Sequence, residues 1–77
     1  MTKVVDEFYT AMYGAKYVYV AGRNGLDTAL SPRRTLLFRG DDARTKLRKK
    51  ITKHGRGGYM TLSDIKIVKV TVEQVND

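Results

Sequence analysis

Cysteine and tryptophan are absent from this 77-residue chain, and it contains one histidine and one proline. Without cysteine it can form neither a disulfide nor a thiolate metal site, and His54 by itself cannot supply the ligand set that a zinc site needs. No stretch approaches the ~20 apolar residues of a membrane helix, and residues 1–7 lack the apolar run of a signal peptide. We therefore expect one domain over residues 1–77 that is cytoplasmic, does not enter a membrane and holds no metal or cofactor.

The small size of the chain limits its stability. A chain of this length buries a modest share of its surface, so a folding margin of only ~5 kcal/mol is expected. Because no disulfide or metal adds to that margin, association into a homodimer is one way in which the fold would be supplemented.

Positive charge is concentrated in the middle of the chain. The net charge is +7, and residues 33–56 contain ten Lys and Arg against Asp41 and Asp42, whereas the flanking segments are close to neutral. Such a concentration costs self-repulsion in the folded state, which favours a use for it in binding phosphate or a carboxylate-rich protein surface. The alternative is a solvated helix that keeps the protein soluble.

The first half of the chain predicts a helix and then a hairpin. Val5, Phe8, Tyr9 and Met12 have the spacing of one helical face, which predicts a helix over residues 3–13 that Gly14 ends. Residues 16–21 alternate strictly, so Val18 and Val20 are predicted on one face of a strand and Tyr17 and Tyr19 on the other. Asn24-Gly25 indicates a hairpin with a tight tip or a long loop, and residues 34–39 are the predicted return strand.

The second half predicts a helix and a long strand. Residues 42–54 have an apolar face, with an aspartate as N-terminal cap and Gly55 as a left-handed stop. Residues 65–75 read as a strand whose alternation changes parity, which indicates a bulge or burial on both faces. The predicted fold is α+β, with a three-stranded, mainly antiparallel sheet, two helices and the order α-β-β-α-β.

Catalytic chemistry has little support in the sequence. Ser31 precedes a proline and Ser63 an aspartate, with no base placed to activate either. Asp41 and Asp42 are explained by helix capping, and His54 by the C-terminal end of the helix dipole. The glycines of residues 55–58 match neither a P-loop nor a dinucleotide fingerprint, and we interpret them as a helix stop followed by a mobile loop. We expect a binding protein and not an enzyme.

The basic helix is the predicted binding site. Its cations cover more than half of its circumference, and arginines before and after it extend the set: Arg33, Arg34, Arg39, Arg44, Lys46, Arg48, Lys49, Lys53 and Arg56. Tyr17, Tyr19 and Tyr59 are candidates for base stacking. For the first two, a half-buried sheet face beneath the first helix is the preferred interpretation. The apolar face of the helix is too small for membrane binding.

Several short segments resemble a class of phage proteins. Tyr17-Val18-Tyr19-Val20, Leu36-Leu37-Phe38, Asp42-Ala43-Arg44 and Ile67-Val68-Lys69-Val70 look like small accessory proteins of tailed bacteriophages, over residues 16–72. The resemblance implies a host-takeover role, in which the protein binds and disables a host enzyme or defence factor. Members of that class that mimic DNA are acidic, so the positive charge of this chain excludes such mimicry.

Two functions follow as expectations. The first is binding of RNA, or of a duplex through its backbone, by the helix at 42–54. The alternative is a phage-type inhibitor whose cations dock on an acidic surface of a host or defence protein.

Overall fold

In a computed structural model that describes residues 2–22, 25–55 and 60–75, three strands precede one α-helix and a fourth strand follows it. The elements are β1 (Thr2–Tyr13), β2 (Lys16–Val20), β3 (Leu26–Ala29), α1 (Ala43–His54) and β4 (Ile65–Val75), with short 3₁₀ turns at Arg34–Leu36 and Leu62–Asp64. The strands form one antiparallel sheet in the order β3-β2-β1-β4. This is a Greek-key order, in which the fourth strand returns to lie beside the first. The fold is therefore small α+β, as expected, but the predicted arrangement of three strands and two helices is wrong.

The predicted first helix is instead the long strand β1. Val5, Phe8, Tyr9 and Met12 have helical spacing, but the segment is rich in β-branched and aromatic residues that favour strands. Antiparallel pairing with β4 runs from the Thr2–Val75 pair to the Tyr13–Ile65 pair, with an irregularity between Val4 and Asp6. That long ladder outweighs a weak local preference. The neighbours Thr10 and Ala11 are both fully buried, so β1 is buried on both faces at this point and has no need of an alternating apolar pattern.

Two tight hairpins connect the first three strands. Tyr13 pairs with Lys16, which leaves a two-residue loop of Gly14 and Ala15. Gly14 has φ 63°, and a positive φ at the first loop residue alone is the pattern of a type II′ turn. Gly14 therefore turns the chain between strands and does not end a helix.

The return strand of the second hairpin is β3, not residues 34–39. Leu26 pairs with Val20, and Ala21 N donates a hydrogen bond to Gly25 O at 2.9 Å, so residues 21–25 are a short connection and the long-loop alternative is wrong. Residues 23 and 24 lie outside the described part of the chain. The segment predicted as the return strand forms a 3₁₀ turn, and Phe38 makes a single antiparallel bridge with Tyr9.

Helix α1 confirms the prediction for residues 42–54. Ala43, Leu47 and Ile51 are buried against the sheet, as the apolar face predicted. Both ends differ in detail. Asp42 occupies the N-cap position without a side-chain cap hydrogen bond, and Gly55 has φ −84° and is not left-handed. Gly55 avoids a close backbone contact, because a Cβ there would lie 2.7 Å from Ile51 O.

Strand β4 has the predicted bounds, and it buries side chains on both faces of the sheet. Ile65 and Ile67 contact the core beneath the helix, and Val68 and Val70 lie half-buried on the other sheet face. The parity change therefore reflects burial on both faces. The core under α1 combines residues from every part of the described chain: Ala11, Val18, Leu26, Leu36, Leu47, Ile51, Met60 and Ile65. Val18 thus lies on the core face, and the alternation of β2 places Tyr17 and Tyr19 on the opposite face.

Candidate nucleic-acid interface

The outer surface of α1 is cationic. Once the apolar face is buried, the exposed cations of the helix are Arg44, Lys46, Arg48, Lys49 and Lys53. Lys46 forms an ion pair with Asp42, with Nζ 3.2 Å from Oδ2. Across residues 2–22, 25–55 and 60–75, no ion pair involves Arg48, Lys49 or Lys53. These three side chains are therefore available to an external anion.

Two cations of the helix are held over aromatic rings of the core. The Arg44 guanidinium lies 5.5 Å from the ring centre of Tyr9, and Lys50 Nζ lies 5.7 Å from that of Phe38. Cation–π contacts at such distances hold the side chain on the ring face. Arg44 is thereby directed along the side of the helix that borders the sheet.

The arginines before the helix do not extend its cationic surface. Arg39 donates two hydrogen bonds to Asp6, from Nε at 3.0 Å and Nη2 at 2.6 Å, and its guanidinium lies 5.8 Å from the Phe8 ring centre. Asp6 and Phe8 alternate with Tyr9, so this pair lies on the sheet face away from α1. The hydrogen bond from Arg39 holds the pKa of the Asp6 carboxyl below its usual value, and the same bond raises the pKa of Arg39.

Two of the predicted tyrosines, Tyr17 and Tyr19, also lie on the sheet face away from α1. Tyr19 is half-buried, and the Arg33 guanidinium lies 5.4 Å from its ring centre. Tyr17 is half-buried beside it, and the predicted helix that would have covered both is absent because its residues form β1. Arg34 is exposed at the start of the 3₁₀ turn. Arg56 and Tyr59 lie outside the described residues.

A groove of about 710 Å³ separates α1 from β4 and contains residues that the sequence did not single out. The helix supplies Arg44, Arg48, Ile51 and Thr52, and the chain after it supplies Leu62, Ser63, Ile65, Lys66 and Ile67. Lys66 Nζ donates a hydrogen bond to Ser63 O at 3.2 Å. Lys66 was missed because it lies outside the basic segment, and no local pattern marks it.

The groove and the helix surface offer cations and hydroxyl groups, which is the chemistry of anion binding. Within the described ranges there is no group of three or more His, Asp or Glu side chains placed to hold a metal ion. His54 Nδ1, at the C-terminal end of α1, is buried and has no hydrogen-bond partner among the described residues. None of the described helices is long and apolar enough to cross a membrane.

Comparison with known proteins returned no relative. No family model matches the chain, and no curated protein and no solved structure matches it either.

Proposed function

We propose that this protein binds nucleic acid through the exposed cations of α1, with phosphate contacts from Arg44, Arg48, Lys49 and Lys53. The observation that carries the proposal is the pair of opposite faces on this helix. One face is fixed in the core by Ala43 and Leu47, both fully buried, so the other face is held outward as a rigid array of cations.

Phosphate is the anion that fits this array best. The cations follow one another along the outside of a helix and, in the described chain, Lys46 is the one exposed member with a carboxylate partner. A row of cations on a rigid element matches a repeating backbone charge, and counterion release makes such contacts favourable. Contacts of this kind carry little sequence information, so we expect weak sequence preference.

The test is fluorescence anisotropy with labelled single-stranded RNA, duplex RNA and duplex DNA, from low salt to 150 mM. The charge reversal Arg48→Glu with Lys49→Glu should abolish two phosphate contacts, so the slope of log K against log salt for duplex DNA should fall by about 1.8. Lys3→Glu with Lys16→Glu is the matched control, because both residues are exposed and lie outside the basic segment. Equal effects of the two double variants would refute the proposal, and circular dichroism would verify that both remain folded.

A second candidate function is inhibition of a host or defence protein, in keeping with the resemblance to phage accessory proteins. The observation that favours it is the exposed end of the β1–β4 ribbon, where Val4 and Val75 are diagonal neighbours in the ladder with exposed fractions of 50% and 62%. Apolar side chains exposed together are typical of protein contacts. A stoichiometric complex that survives nuclease treatment and is lost on Val4→Lys with Val75→Lys would support this function. Binding that disappears with nuclease would count against it.

A further inference from the structure

The groove between α1 and β4 differs from the outer face of the helix because it combines charge with apolar surface. We propose that it binds a single strand of nucleic acid, with phosphates on Arg44, Arg48 and Lys66 and with bases against Leu62 and the half-buried Ile67. This inference rests on the proposed function and specifies its ligand.

The charge of the groove is of one sign. Among the described residues that line it there is no Asp or Glu, and none of its three cations takes part in an ion pair with another described residue. The hydroxyl groups of Thr52 and Ser63 lie among these cations and can donate hydrogen bonds to phosphate oxygens. The hydrogen bond from Lys66 Nζ to Ser63 O holds the Lys66 ammonium group beside Ser63. An anion with several oxygens is the ligand that this set fits.

The apolar part of the groove discriminates between strands and duplexes. Leu62 is 42% exposed at the rim and Ile67 is half-buried, so these two side chains offer apolar surface to a ligand, whereas Ile51 and Ile65 beneath them are almost completely buried. A duplex keeps its bases stacked inside and presents mainly phosphate and sugar to a protein that follows its backbone. A single strand exposes the flat faces of its bases, which pack on apolar and aromatic side chains. An exposed leucine between cations therefore favours the single strand.

The size and position of the groove agree with a short segment of strand. Its volume of about 710 Å³ lies in the range of small-ligand sites, so it would hold a few groups of a chain and not the width of a helix. Strand β4 is the last strand of the sheet, and its outer edge has no strand partner within the described chain. Backbone N–H and C=O groups on such an edge can bond to the edges of bases.

The experiment compares two variants of the full chain on two probes. The groove variant is Leu62→Gln with Lys66→Gln, and the outer-face variant is Lys49→Gln with Lys53→Gln, which lie outside the groove. The probes are labelled oligo-dT and a mixed-sequence DNA duplex of the same length, each at 150 mM salt. We expect the groove variant to lose affinity for oligo-dT by about 10-fold while duplex affinity changes less than about 2-fold, because packing against bases is lost only for the single strand.

Lys3→Gln is the control for loss of one charge, since Lys3 is exposed on β1 and far along the chain from the groove residues. Equal losses on both probes, or no loss with oligo-dT, would overturn the assignment of the groove while leaving the proposed function intact. Failure of the wild-type protein to bind either DNA probe at 150 mM salt would overturn the assignment of the groove, and failure to bind the two RNA probes as well would overturn the proposed function. The exposed fraction of Leu62 makes its substitution compatible with folding, and Lys66→Gln as a single variant provides a second, milder comparison.

Discussion

Substitution of Gly55 by alanine has two opposing effects on the stability of the fold. Gly55 has φ −84° and ψ −2°, a conformation open to alanine, so the loss of chain entropy in the unfolded state would by itself stabilise the fold by about 0.4–1 kcal/mol. The added Cβ, however, would lie 2.5 Å from Leu62 Cδ2 and 2.7 Å from Ile51 O. Overpacking of this kind costs about 1–3 kcal/mol.

The contact with Ile51 decides the outcome. Leu62 can rotate away because it is 42% exposed, but Ile51 O accepts the last hydrogen bond of α1 from Gly55 N at 2.8 Å and cannot move without lengthening it. We therefore expect Gly55→Ala to lower the free energy of unfolding by about 1–2 kcal/mol. For a domain of this size that corresponds to a fall in Tm of about 4–16 °C.

Urea unfolding followed by far-UV circular dichroism measures this change. Gly25→Ala is the matched control, because its Cβ would meet one atom, Ala21 O, at an ordinary distance of 3.4 Å. A Leu62→Ala background removes the contact with Leu62 Cδ2. The loss of unfolding free energy that Gly55→Ala still causes there reports the contact with Ile51 O. A Gly55→Ala protein as stable as the wild type, or more stable, would refute the reasoning.

Two further predictions concern the core and the second sheet face. Leu47→Ala removes a fully buried side chain and should lower the free energy of unfolding by about 2–5 kcal/mol, which is most of the expected folding margin. The control is Leu30→Ala, which at 85% exposure should change stability by less than about 0.5 kcal/mol. Thermal unfolding of the two variants measures the difference. Asp6→Asn should destabilise the fold at pH 7. Because the pKa of Asp6 is lowered in the folded state, its contribution is present above the usual carboxyl pKa of 3.8 and is lost as pH falls through the lowered value. The difference in free energy of unfolding between the wild type and Asp6→Asn, measured by urea titration, should therefore narrow below pH 3.8. A difference that does not depend on pH, or one that Asp41→Asn shares, would contradict a stabilising role for the Asp6 carboxylate.

The elements that could be predicted are those with a strong local pattern. The β2 strand alternates over five residues, α1 has an apolar face between polar turns, and β4 is a long β-branched run. In each case the residues that specify the element are close together in the sequence. The first strand and the return strand of the hairpin lack this property, since pairing with distant β4 and with β2 decides them.

The proposed binding residues also divide into those that local pattern places and those that tertiary contacts place. Arg48, Lys49 and Lys53 belong to one helix, and helical geometry fixed them on one surface in advance. Arg33 and Arg39 are neighbours of that helix in sequence, but the chain crosses the edge of β1 at Phe38 and leaves both arginines over aromatic rings on the other face. Lys66 joins the groove because the 3₁₀ turn at Leu62–Asp64 brings the start of β4 beside the helix.

The sequence by itself determined the net positive charge, its confinement to residues 33–56 and the helix that carries most of it, because charge and helical periodicity are local properties. Only the tertiary structure decided that residues 2–13 form a strand, which cations share a surface, and that a groove with an apolar floor lies beside them. Those outcomes depend on contacts between segments that are far apart in the chain, and strand pairing over such separations outweighs the local preferences that a sequence pattern reports.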